Sequence, residues 1–173
     1  MEAKVIQLLR DNLKLIEESF GLEVTQEEFR SSAQQFFINM YEIGQMMDKD
    51  ALMKNTETFM LLKESASKLM FCLIWLAYYV LVFSDRFYGR EWDGDATTEC
   101  IIRSGIQYFR DFYRDIDTDG SDEKLDDYLT VYFDGEVEFL DDYFKDWVEK
   151  DRDDSIFEGG PRAVPDSHWW WKP

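Results

Sequence analysis

The chain has 173 residues, with 37 acidic side chains against 19 basic ones and a net charge of −18 at pH 7. Hydrophobic residues at 45% and aromatics at 17% supply enough apolar surface to offset the entropy of ordering, which excludes a disordered acidic tail and predicts a single folded domain. Cys72 and Cys100 have neither metal-ligand spacing nor the density of a disulfide framework, and the N-terminal stretch MEAKVIQLLRDNLK has charges in its first turns and no cleavage site after an apolar run, so the expected setting is a reducing cytoplasm.

Val5, Leu8, Leu9, Leu13, Leu15 and Ile16 recur at helical spacing, and Gly21 ends this first helix after Phe20. Thr25 followed by Glu28 is a capping box, opening a second helix through Phe29, Phe36, Phe37, Met40, Tyr41 and Ile43 that is expected to stop near Gly44. Asp50 or Asn55 can start the next segment, so residues 50–84 read as one long helix or as two. Within it, LMFCLIWLAYYVLVF at 69–83 is 15 consecutive apolar or aromatic residues. A bilayer-spanning helix needs roughly 20, so the run is expected to be a central helix wrapped by amphipathic neighbours on most sides, not a membrane segment.

The stretch YGREWDGDATT is turn-rich, and a further helix should begin near Thr97 or Thr98 with Ile101, Ile102, Ile106, Phe109 and Tyr113 as its inner stripe. Leu125, Tyr128, Leu129, Tyr132 and Phe133, then Val137, Leu140, Phe144, Trp147 and Val148, continue the helical pattern. TVYFDGEVEF has a rival reading, because it alternates around an Asp-Gly pair and could form a small β-hairpin over 129–140. The stripe stays in phase through Val148, so helices are the expectation and the hairpin the alternative. The ending EGGPRAVPDSHWWWKP reads as a loop or arm whose tryptophans plug onto the body. The expected architecture is therefore all-α: a bundle of five to seven helices over 1–154 around the central 69–83 helix, followed by a C-terminal arm over 155–173.

Charge is unevenly distributed. Residues 1–90 hold 13 acids and 10 bases, whereas residues 91–154 hold 22 acids and 7 bases. Spread over helices, Asp111, Asp115, Asp122, Asp126, Asp127, Glu138, Asp141, Asp142, Asp146 and Glu149 form rows of like charge, an arrangement that costs stability. With Tyr108, Tyr113, Tyr128, Tyr132, Tyr143 and Trp147 interleaved, residues 108–149 are the predicted partner-binding face, Tyr128 and Tyr143 foremost.

The densest acidic stretch, DIDTDGSDEKLDD at 115–127, resembles the calcium loop of EF-hands over twelve residues. Asp115, Asp117 and Asp119 stand at that family's first side-chain ligands, Gly120 at its sharp turn and Ser121 at its carbonyl ligand, with Glu123 a further oxygen donor. Asp126 closes the loop where the family has a bidentate glutamate, and no second loop partners this one. The resemblance implies calcium or magnesium held by Asp115, Asp117, Asp119, Ser121, Glu123 and Asp126, and hence a cation-binding regulatory protein as one alternative function; the other reading is a cofactor-free acidic loop.

Catalytic signatures are missing. His168 is the single histidine, which excludes a Glu-x-x-His di-metal bundle, and there is no phosphate-cradling glycine loop or nucleophile elbow. Carboxylate and magnesium chemistry is the remaining enzymatic alternative. In composition, size and lack of catalytic motifs the chain is similar to phage-encoded DNA mimics that block restriction or CRISPR nucleases, and to acidic immunity proteins that cap toxin nucleases. That likeness implies a non-enzymatic inhibitor or decoy whose partner is a basic nuclease or DNA- or RNA-binding complex, and which does not bind nucleic acid itself.

Overall fold

The computed structural model describes residues 1–21, 23–88, 96–118, 124–150, 152 and 164–171. Those residues form seven α-helices and no strand: α1 (Glu2–Ser19), α2 (Gln26–Met46), α3 (Lys49–Lys54), α4 (Thr56–Ser84), α5 (Ala96–Tyr113), α6 (Leu125–Tyr132) and α7 (Asp134–Lys150). Each of the first boundaries has a local chemical cause. The Thr25 hydroxyl accepts from the Glu28 amide, Asp48 caps α3 through the Ala51 amide, and Asn55 caps α4 through the Thr58 amide. The segment 50–84 is thus two helices, and Asn55 is the divide.

Helix α4 is the central element, contacting α1, α7, α6 and α3. Its inner face buries Leu62, Ala66, Leu69, Leu73, Leu76, Val80 and Phe83. One face stays open: Phe71 is 80% exposed and Ile74 62%. Among the described residues, the segment Thr56–Phe87 is long and apolar enough to cross a membrane, with half of its most apolar window buried in the protein.

Helix α2 lies against α1 and, most extensively, α5. The α2–α5 crossing is close because two glycines sit in it. A Cβ on Gly105 would lie 1.9 Å from the Phe37 carbonyl oxygen, and one on Gly44 would lie 2.5 Å from the Tyr108 ring. Gly44 therefore makes room for a ring, and α2 runs past it to Met46, two residues beyond the expected end. Phe37, Phe109 and Phe133 meet at this crossing, with centroids 5.9 Å apart for Phe37 and Phe109 and 5.2 Å for Phe109 and Phe133.

The hairpin alternative at 129–140 is corrected. Phe133, fully buried, is the joint between α6 and α7, and Asp134 and Gly135 open the first turn of α7. Two side chains at the end of α5 and just beyond it hold the joint: Arg110 Nε donates to the Asp134 carboxylate at 3.0 Å, and Arg114 Nη2 donates to both of its oxygens at 3.0 and 3.1 Å. Asp134 is thus spent on a helix N-terminus and two guanidiniums, and the apolar side chains Phe133, Val137, Leu140, Phe144 and Trp147 face one core at helical spacing.

Residues 164–171 dock as the expected aromatic plug. His168 and Trp170 are fully buried, and a 3-10 turn spans Trp169–Trp171. All converge on one hydroxyl. Trp170 Nε1 and Trp171 Nε1 donate to Ser104 Oγ at 2.9 and 2.7 Å, while His168 Nδ1 lies 3.0 Å from the same oxygen. Two indole donors occupy both lone pairs, so the Ser104 proton points at His168 Nδ1. The imidazole must then be neutral with its proton on Nε2.

Candidate functional site

The acids of α5 to α7 separate into two groups by what they face. The inner group is held by partners within the protein itself. Arg103, only 1% exposed, donates from Nε and Nη2 to both oxygens of Asp141 at 2.7 and 2.8 Å, and its guanidinium lies 4.2 Å from the centroid of the Trp170 ring. Arg114 pairs with Asp126 as well as Asp134. Asp115 pairs with Lys49, whose ammonium holds the carboxyl below its usual range. Asp111 is half-buried and accepts from Gln107 Nε2 at 3.0 Å; burial raises its pKa despite that bond. Asp146 pairs with Lys150 one turn along α7, both well exposed.

The outer group is different. Asp127 on α6 and Glu138, Asp142 and Glu149 on α7 are exposed and reach no cation among the described residues. Glu138 and Asp142 are one helical turn apart, about 6 Å along the axis, and Glu149 follows two turns on. Of the predicted partner-binding acids, these four are exposed and the three on α7 lie along one face of the helix, whereas Asp115, Asp126 and Asp141 are tied to cations; Asp122 lies outside the described residues.

The interleaved aromatics separate in the same way. Tyr108, Tyr113 and Trp147 belong to the core, at 4%, 0% and 2% exposure, while Tyr132 is 50% exposed. Tyr128 and Tyr143 are half-buried. Tyr143 sits edge-on between two rings, 4.8 Å from Tyr88 and 4.9 Å from Phe139. Tyr88 and Phe139 complete an aromatic strip beside Glu138 and Asp142, and Val131 on α6 is 71% exposed. Sequence reasoning missed these three. Phe139 did carry a signal, since it falls out of phase with the inner stripe of Val137, Leu140 and Phe144.

For the EF-hand-like loop, Asp119, Ser121 and Glu123 lie outside the described residues. Its two ends are clipped together by backbone bonds, Leu125 N–H to Ile116 and Asp126 N–H to Arg114, at 3.0 Å each, with an antiparallel bridge between Asp117 and Lys124. Among the described residues no group of three potential ligands converges on one point. Asp115 and Asp126, the first and last positions, turn their carboxylates to Lys49 and Arg114.

No protein-family model matches the chain, and neither the curated proteins nor the solved structures hold a match to it. Fold and face together define a class by geometry: an all-α body with an acidic outer wall and exposed aromatic rings set into it.

Proposed function

We propose that this protein is a cytoplasmic, non-enzymatic binding protein that inhibits or decoys a basic partner, a nuclease or a DNA- or RNA-binding complex, by occupying its nucleic-acid groove. The observation that carries the reading is the division of the acids. Asp126, Asp134 and Asp141 are matched to arginines and Asp115 to a lysine, yet Glu138, Asp142 and Glu149 are left unmatched along one face of α7 beside Phe139 and the Tyr88–Tyr143 pair, with Asp127 and Tyr132 exposed on α6. A charge excess serving only solubility has no need of that segregation. Unpaired carboxylates on a rigid helix steer a basic surface and raise the association rate, and half-exposed rings supply the desolvated contact that sets the lifetime. A groove built for phosphates meets the same sign of field here. This is the role that phage DNA mimics and nuclease immunity proteins play.

The test is a comparison of two charge reversals in capture of basic partners from lysate, followed by competition with duplex DNA. Reversing Glu138, Asp142 and Glu149 to lysine should abolish capture, whereas reversing Glu18, Glu23 and Glu28, three exposed acids in the near-neutral half, should leave it nearly intact. Capture should weaken steeply with salt, and DNA should displace the protein. Equal losses from the two triples, or a partner that holds DNA and this protein together, would refute the decoy.

A further inference from the structure

On α4 the outward positions recur at three- and four-residue spacing: Glu57, Met60, Glu64, Ser67, Phe71, Ile74, Tyr78, Leu81 and Asp85. These are the a and d positions of an unbroken heptad seam. Its first half is polar apart from Met60. Its second half is apolar and open to solvent, with Phe71 80% exposed, Ile74 62%, Tyr78 37% and Leu81 36%. Beside it lies a groove of about 380 Å³ between α4 and the start of α2, walled by Val24, Phe29, Ile74, Trp75 and Tyr78. Phe29 and Trp75 meet edge-on at 5.9 Å, and Gln26 Nε2 donates to the Tyr78 hydroxyl at 2.8 Å, so the groove is shaped by fixed contacts.

We infer that this face is the interface of a homodimer, in which α4 pairs antiparallel with α4 of a second copy about a two-fold axis between Ile74 and Tyr78. The face is self-complementary. Phe71, Ile74, Tyr78 and Leu81 are spaced symmetrically about the point midway between Ile74 and Tyr78, within three helical turns, about 15 Å. A two-fold axis repeats every contact in both directions, so each copy's Phe71 meets the other's Leu81 while Ile74 meets Tyr78.

Charge selects the antiparallel direction. At one end of the apolar seam stands Lys68, exposed and 3.2 Å from Glu17 of its own chain, and at the other stands Asp85, also exposed. Antiparallel pairing sets each lysine near the other copy's aspartate, twice over. A parallel pair would stack Glu57, Glu64 and Asp85 on their own copies. The seam also belongs to the half of the chain with 13 acids and 10 bases, away from the acidic wall, so two such faces meet with little repulsion.

A lipid surface fits less well. The inner face of α4 is the core of the molecule, so the helix cannot enter a bilayer without dismantling the bundle. Helices that lie on membranes carry lysine and arginine all along their polar rim, whereas here acids and bases flank the apolar stretch alike, Glu64 and Lys68 at one end and Asp85 and Arg86 at the other. Four exposed apolar residues per copy make a small interface, for which weak self-association is the expectation.

Sedimentation velocity across micromolar to submillimolar concentration should show the species moving from 20.7 kDa to twice that mass. Raising salt should strengthen the dimer by screening the net charge, opposite to its effect on the acidic wall. Phe71→Glu, at a position already exposed, should keep the helical circular dichroism and weaken association by about tenfold or more. Asp85→Lys should weaken it too, and adding Lys68→Glu in the same chain should restore it, which reads the antiparallel register. A chain that remains monomeric throughout, a folded Phe71→Glu variant that still dimerises, or a charge swap that fails to restore would each overturn the assignment. Co-sedimentation with phosphatidylcholine vesicles that depends on Phe71, with no dimer in solution, would transfer the face to lipid.

Discussion

Helices α4 and α7 pack against each other and bury the same kind of inner stripe, yet their outer faces are opposites. α7 shows water Glu138, Asp142, Asp146 and Glu149, while the second half of α4 shows it Phe71, Ile74, Tyr78 and Leu81. Neither face is explained by the stability of a single chain. A row of like charges costs free energy, and an open apolar stripe is left without the burial that would reward it. The difference places acidic and apolar surface on separate helices, each in excess of what the stability of a single chain requires.

The largest effect should come from crossing the divide between inner and outer acids. Asp141→Ala strands the buried Arg103 guanidinium without its bidentate partner and should cost about 3 kcal/mol, whereas Asp142→Ala, one residue away, should stay within about 0.5 kcal/mol. Urea denaturation of the two variants measures the contrast. Equal small effects would mean that Gln107 and the Trp170 ring suffice for Arg103, and the inner acids would rejoin the outer ones as surface charge.

A second, smaller effect concerns what Arg103 covers. Burial, with a contribution from Arg103, pushes the His168 imidazole down from 6.5 to about 4. In the unfolded chain it titrates near its ordinary value. The unfolded state therefore binds the proton first, and the stability held by neutral His168 is fully present above pH 6.5 and is lost as pH falls toward 4. Protonation would also place a third donor on Ser104 Oγ, which has no lone pair left. Tyr108, against the imidazole ring, and Trp170, stacked on it, are neutral across this range and offer no compensating charge. Tryptophan fluorescence during thermal melting should report an acid-labile plug in the parent chain and a flatter profile in His168→Gln, the difference isolating this group from the many carboxylates.

Much of this fold was legible in the sequence because helical spacing and capping residues are local signals. The Thr25 cap, the all-α class, the central position of the 69–83 run and the buried tryptophan plug all follow from them. What was not legible depended on partners far along the chain. Nothing local distinguishes Asp141 from Asp142; Arg103, 38 residues away, does. Gly44 reads as a helix end until Tyr108 needs its space. The open face of α4 was hidden for the converse reason: a segment apolar on all sides gives no periodicity to say which side neighbours cover, so Phe71 and Leu73 look alike in sequence although one is exposed and the other buried.

The smallest expected effect is the most direct on whether the acidic wall is kept for binding. Asp142 stands one turn from Glu138 on one side and one turn from Asp146 on the other, and like charges four residues apart on a helix each cost roughly 0.2–0.5 kcal/mol. Asp142→Lys turns both repulsions into attractions, the Glu138 pair in the favourable acid-before-base order, and should therefore raise stability by about 0.5 kcal/mol. Screening diminishes this gain, so it should shrink in high salt. The same change should weaken capture of a basic partner. A substitution that strengthens the fold and weakens the interaction separates the two demands on one residue, and differential scanning calorimetry on Asp142→Lys, run beside the capture assay, reads both. A loss of stability would mean that Asp142 has a structural partner and that the wall is fold, not interface; a gain with unchanged capture would leave the row as surplus charge and move the contact to the rings of Tyr132, Phe139 and Tyr143.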